Sequence, residues 1–230
     1  MGEYDKGPGI RRGQGFQPLR RREVLRSALV GSAGLAAASV LTSPHRVRAD
    51  EPKRDGNLRV ALLGGGTSDT VDAHGSVSVP DTARALSLYE GLTRLDADGK
   101  VINVLADSME PNATATEWTI RLRKGVKFHD GKTLKAEDVA FTFRRIADPK
   151  APFSGAAALQ ALDLGNMKVM DDLTLRVPMT SPYAAFPDCI SASFLFSVVP
   201  VGYDPKAPVG TGPFKYQSFS PGQQSVFTRR

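Results

Sequence analysis

Few side chains in this sequence are placed to make or break bonds. Beyond residue 49 only two histidines occur, His74 and His129, and neither belongs to a His-Glu-x-x-His run or a pair at metal-ligand spacing. Cys189 follows Asp188 with no base beside it, which reads as a buried structural thiol and not a nucleophile. Asp171-Asp172 lies between two apolar runs, the setting of a solvated turn and not of a carboxylate pair. Gly64-Gly65-Gly66 follows a strand-like run. The third glycine of a dinucleotide loop would fall on Asp69, however, and no Gly-Lys-Ser/Thr follows, so a phosphate cradle is disfavoured. There is no Gly-x-Ser-x-Gly elbow. The residues imply no catalytic group, no metal site and no cofactor.

The elements that would position these residues alternate between strand and helix patterns. Asn57–Leu63 reads as a buried strand, and Asp81–Glu90 as a helix with Ala85, Leu88 and Tyr89 at helical spacing. Leu92–Leu95 and Lys100–Ile102 flank Asp96-Ala97-Asp98-Gly99, a hairpin signal. Trp118, Ile120 and Leu122 alternate with polar residues, as in a half-buried strand. Ala136–Ile146 reads as a helix with Val139, Ala140, Phe143 and Ile146 on one side, stopped by Asp148-Pro149. Met167–Met170 and Leu173–Val177 form a second hairpin. Tyr183–Ile190 reads as a short helix and Phe194–Val199 as a strand. Gly212–Ser218 and Gln224–Thr228 flank the Pro221-Gly222 turn. The pattern predicts an α/β or α+β fold with mixed sheets.

The chain has 230 residues, 41% hydrophobic and 23% charged, which is ordinary for a globular protein and excludes wholesale disorder. One cysteine excludes an internal disulfide framework and any Cys-rich metal module. The net charge of +6 invites a nucleic-acid reading. Residues 1–49 hold nine Lys/Arg and three Asp/Glu, so the whole surplus sits there. The other 181 residues balance 21 basic against 21 acidic side chains, and nucleic-acid binding is not expected.

Residues 1–49 have the layout of an export signal. A basic stretch ends in Arg20-Arg21-Arg22-Glu23-Val24-Leu25-Arg26, Ser27–Leu41 is uncharged, and Val47-Arg48-Ala49 ends in a small residue. The apolar run is too short to span a bilayer comfortably, which takes about 20 residues. Arg21-Arg22-x-Val24-Leu25-Arg26 resembles the twin-arginine export pattern. The expectation is passage through the twin-arginine machinery, cleavage after Ala49, and a periplasmic or secreted product.

Trp118-Thr119-Ile120-Arg121-Leu122-Arg123-Lys124-Gly125-Val126-Lys127-Phe128-His129-Asp130-Gly131, followed by Leu134–Val139, closely resembles the signature of the family 5 extracellular solute-binding proteins. Val71-Asp72-Ala73-His74, Tyr89-Glu90-Gly91-Leu92 and Gly210-Thr211-Gly212-Pro213-Phe214 agree in order. These are the oligopeptide-, dipeptide- and nickel-binding receptors of bacterial ABC importers. The resemblance implies a lobe like that of a type II periplasmic binding protein, with mixed sheets and a smaller subdomain. It divides the chain into a signal (1–49), the first part of lobe I (50–96), the subdomain (97–198) and a return into lobe I (199–230). Family members are considerably longer and close two lobes on their ligand, so by this resemblance the distal lobe is absent.

Residue by residue, the ligand-facing loop of peptide binders falls on Val77, Ser78 and Val79, and an aromatic pocket wall falls on Phe153. A carboxylate that holds a peptide amine in some members would sit at Val77, which cannot supply it. The function implied is the extracytoplasmic solute-binding component of an ABC importer. It would take an oligopeptide, dipeptide, metal chelate or similar solute to the permease subunits without catalysing a reaction. The alternative is a truncated remnant that binds nothing.

Overall fold

In the computed structural model the residues described are 56–75 and 78–230, and residues 59–230 form one compact unit. Arg21, Arg22 and the rest of the expected export signal, together with Val77, lie outside the described residues.

A helix α1 (Val79–Leu88) begins at Ser78, whose hydroxyl accepts from the Asp81 amide while the Asp81 carboxylate accepts from the Ser78 amide. This reciprocal cap satisfies two amides that the helix itself cannot. A small hairpin follows, β1 (Thr93–Leu95) against β2 (Val101–Asn103). The central sheet has the order β3 (Ala106–Pro111), β4 (Glu117–Leu122), β6 (Thr174–Pro178), β5 (Lys168–Asp171). Between β4 and β5 runs α2 (Ala136–Ile146), and after β6 the short α3 (Phe186–Ser191). A final hairpin pairs β7 (Phe214–Ser220) with β8 (Gln224–Arg229). The α/β expectation holds, and every strand pair among the described residues is antiparallel.

The core lies between the central sheet and α2. In β4 the alternation of Trp118, Ile120 and Leu122 carries all three inward, and Trp118 and Ile120 stand opposite Val177 and Leu175 of β6. Val139, Ala140, Phe143 and Ile146 close the core from α2. Phe186 of α3 takes the edges of both Trp118 and Phe143, with ring centroids 5.9 and 6.1 Å away. A smaller apolar cluster joins Ala73, Ala85, Leu88, Tyr89 and Val199.

Two expected strands are corrected. Residues 57–63 form no strand, and Leu58 and Leu63 are 88% and 91% exposed. The apolar run has the composition of a buried strand, but no described strand offers its backbone a ladder partner. Phe194–Phe196 is a 3₁₀ turn instead of a strand, because the Ser193 hydroxyl accepts from the Leu195 amide and holds the chain in a local turn. The segment makes only an isolated bridge, between Ser197 and Gly91. Conversely, β3 gave no strand signal. Its polar composition and terminal Pro111 suit an edge strand, where a missing donor is harmless.

Candidate functional site

The end of α2 and the segment before α1 meet around one buried cation. Arg145 lies in the last turn of α2, where the helix dipole favours positive charge. The helix stops there, and the Phe153 amide returns to donate to the carbonyl of Ile146 at 3.0 Å. That return sets the Phe153 ring against the Arg145 guanidinium, 4.5 Å from its central carbon, and 5.7 Å edge-on from the His74 ring. Tyr203 presents a second ring to the same guanidinium at 5.0 Å.

Asp72 and His74 supply the polar partners. Arg145 Nη2 donates to Asp72 Oδ2 at 2.7 Å, and Arg145 Nη1 donates to His74 Nδ1. A guanidinium has no acceptor, so His74 Nδ1 must carry the lone pair and Nε2 the hydrogen, donated to the Ser197 carbonyl at 2.9 Å. Burial pushes the His74 pKa down to about 4, and the neighbouring Arg145 charge adds to the effect. The imidazole is therefore neutral at physiological pH. Tyr203 is fixed in turn: its hydroxyl accepts from the Ala73 amide at 3.2 Å and shares a 2.6 Å contact with Tyr89, which donates to the Val71 carbonyl. Burial is the main cause that raises the Tyr203 hydroxyl pKa to about 12 and pushes that of Tyr89 further up.

A second buried cation, Arg84 of α1, donates to Asp81 at 2.6 Å, Asp69 at 2.8 Å and the Ser225 hydroxyl at 2.6 Å, and lies 4.9 Å from the Phe219 ring. It ties the loop after Gly66 to the β7–β8 hairpin. The Gly66 amide and then Arg84 hold the Asp69 carboxyl below the usual carboxylate range.

His129 is the third fixed polar group. Its Nδ1 accepts from the Gly210 amide at 3.3 Å and its Nε2 donates to the Gly212 carbonyl at 2.9 Å. Burial lowers its pKa, which keeps this arrangement neutral. The same glycines press on the end of α1: a Cβ at Gly210 would stand 2.1 Å from the Leu88 carbonyl oxygen, and one at Gly212 2.7 Å from that of Ser87. Two of the signature stretches thus meet here for packing reasons.

The four expected ligand contacts fare differently. Val77 lies outside the described residues. Ser78 spends its hydroxyl on the α1 cap, while Val79 is 67% exposed. Phe153 is half-buried and is brought to His74 and Arg145. Asp72 and His74 lie in a quoted motif, but Arg145 and Tyr203 carried no signal, since their partners are distant in sequence. Cys189 is half-buried, with its Sγ 3.8 Å from the Ala158 carbonyl. Among the described residues, no group of three or more His, Cys, Asp and Glu gathers as a metal site, and no helix is long and apolar enough to cross a membrane.

Comparison with known proteins gives these residues a context. The family "Bacterial extracellular solute-binding proteins, family 5 Middle" matches residues 100–230. A glutathione-binding protein from Pectobacterium atrosepticum is 30% identical over 198 residues, covering 82% of this chain and 36% of its own length. The solved structure of a binding protein from A. tumefacien R10 in complex with agropinic acid superposes with a TM-score of 0.62 at 31% identity, covering 72% of this chain and 34% of its own. The oligopeptide-binding protein AppA of Bacillus subtilis, solved with a nonapeptide, shares the fold with a TM-score of 0.63 at 23% identity, over 73% of this chain and 35% of its own. The chain spans about a third of the length of these relatives. All three are named as binding proteins.

Proposed function

The chain belongs to the bacterial extracellular solute-binding proteins of family 5, and on that footing we propose that it binds a small peptide-like solute and serves an ABC importer. The observation that carries this reading is the held aromatic wall. Phe153 is half-buried and seated on Arg145 and His74. An aromatic face backed by fixed groups can bury the apolar part of a solute. Val79 contributes side-chain contact. Ser78 contributes packing alone, since its hydroxyl, amide and carbonyl are all engaged at the start of α1. Val77 offers apolar surface and no carboxylate for an amine. No bond is made or broken. The similarity to a glutathione-binding protein makes glutathione the first solute to try.

Residues 97–198 serve in this reading as the smaller subdomain, supported by the main apolar cluster, which draws its members from Leu92 to Val198. The product works outside the cytoplasm beside permease subunits, after export on Arg21-Arg22 and cleavage following Ala49. Changing both arginines to lysine should abolish export. Unaltered export would remove the twin-arginine assignment.

The test of solute binding is a titration of the chain with glutathione, the dipeptide Met-Leu and nickel-histidine, followed by calorimetry and by NMR. The expected result is a saturable response to glutathione or the dipeptide at or below about 1 mM, on the order of −4 kcal/mol or better, with shifts at Phe153 and Val79. No saturable response to any of the three would overturn the reading in favour of a form that binds no solute.

A further inference from the structure

An arginine at a helix C-terminus usually reaches into water, its stem on the surface and its charge solvated. Arg145 does not. Its side chain is 16% exposed, its guanidinium lies between the rings of Phe153 and Tyr203, and its nitrogens are taken by Asp72 and His74. Asp72 is held in place by its own segment, since its Oδ1 accepts from the His74 amide at 3.0 Å. The cation therefore joins two places that are 73 residues apart in sequence: the Asp72–His74 segment ahead of α1, and the turn after α2 that carries Phe153. Only a planar fork can meet two acceptors along its edge and two rings on its faces. A lysine would keep the charge and lose the shape.

We propose that Arg145 is a positioning residue of the solute site, locking the Phe153 ring to the Asp72–His74 segment so that the aromatic wall keeps one orientation. The inference rests on Phe153 being the solute wall. Arg84 provides a matched control. Its side chain is 10% exposed against 16% for Arg145, it pairs with two carboxylates and lies against a ring, but its partners are Asp69, Asp81, Ser225 and Phe219.

The experiment compares Arg145→Lys and Arg84→Lys in the full chain, with glutathione as the probe. Thermal melts give the stability lost in each variant, and Phe153 ring resonances are assigned from Phe153→Leu. Arg145→Lys should move the Phe153 ring resonances and weaken glutathione by about tenfold or more. Arg84→Lys should lose comparable stability with the ring unmoved and affinity changed less than about twofold. Equal effects of the two variants on affinity would overturn the inference, because a general loss of stability would then suffice. A moved ring with unchanged affinity would overturn it as well, since the ring would not belong to the site. If the unaltered chain gives no glutathione response, the functional reading falls and the solute half of the inference with it, and the ring resonances alone then decide whether the lock exists.

Discussion

Two residues of α2, Phe143 and Arg145, enter two different kinds of interior. Phe143 belongs to the stripe 139, 140, 143, 146 that a 3.6-residue period turns toward the central sheet, where its surroundings are apolar on every side. Arg145 lies one position off that stripe and faces a seam of carboxylate, imidazole and rings. The first interior is held by area removed from water and asks little of direction. The second is held by hydrogen bonds that each need one partner in one orientation, and its charged groups are costly to bury unless all are met. A single helix can deliver both because the two-residue step from Phe143 to Arg145 turns the side chains about 200° apart. The core tolerates changes of shape better than of volume, whereas the seam tolerates neither.

That contrast can be broken at several points. Phe143→Ala should be the most damaging change, costing about 3–5 kcal/mol in chemical denaturation through lost transfer energy and the cavity left behind. Arg145→Met should cost about 3 kcal/mol, because Asp72 would stay largely buried without its cation, at 13% side-chain exposure. Adding Asp72→Asn to it should cost much less than Asp72→Asn alone, and full additivity would mean that the seam is not one network.

Acid offers a gentler probe. His74 takes up its proton near pH 4 when folded and near its ordinary pH 6.5 when unfolded. Between those values the unfolded chain holds a proton that the folded one refuses, so stability falls as pH drops through the window and levels off below it. The loss from pH 6.5 to 5 should be about 1–2 kcal/mol, read as a falling melting temperature. His129, also lowered, adds in the same direction. His74→Gln should flatten the profile, and an unchanged slope would remove His74 from the account. The smallest effect belongs to neither interior. Arg121 and Glu110 pair at 3.0 Å with more than half of the Glu110 side chain in water, and Glu110→Gln should leave the denaturation midpoint indistinguishable from the original.

How far the sequence could be read follows from the same contrast. Ala136–Ile146 was legible to the residue because the stripe, the acidic first turn and Asp148-Pro149 all agree. The hairpins around Asp96–Gly99, Asp171-Asp172 and Pro221-Gly222 were legible from turn chemistry. Residues 57–63 and 194–199 were misread because an apolar run reports burial tendency but names no ladder partner. Phe153 is singled out by family resemblance alone, with no local pattern to mark it. Arg145 was invisible, because an arginine near a helix end is ordinary and nothing local marks a partner 73 residues away. Directional contacts across long separations are the part of the fold that periodicity does not encode.

The His129 clasp has a consequence for the order in which the chain assembles. Its two bonds reach across 81 and 83 residues, and α2, β5, β6 and α3 all lie within the loop they close. Closing so long a loop early would cost chain entropy with no packed sheet to offset it. The clasp is therefore expected to form after the central sheet has docked, so that His129→Ala should speed unfolding and leave the refolding rate unchanged in stopped-flow denaturation. Contacts made on the far side of the folding barrier slow the opening of the finished protein and do not hasten its formation. On that expectation a neutral imidazole in a turn bears on the lifetime of the folded state more than on the speed of reaching it.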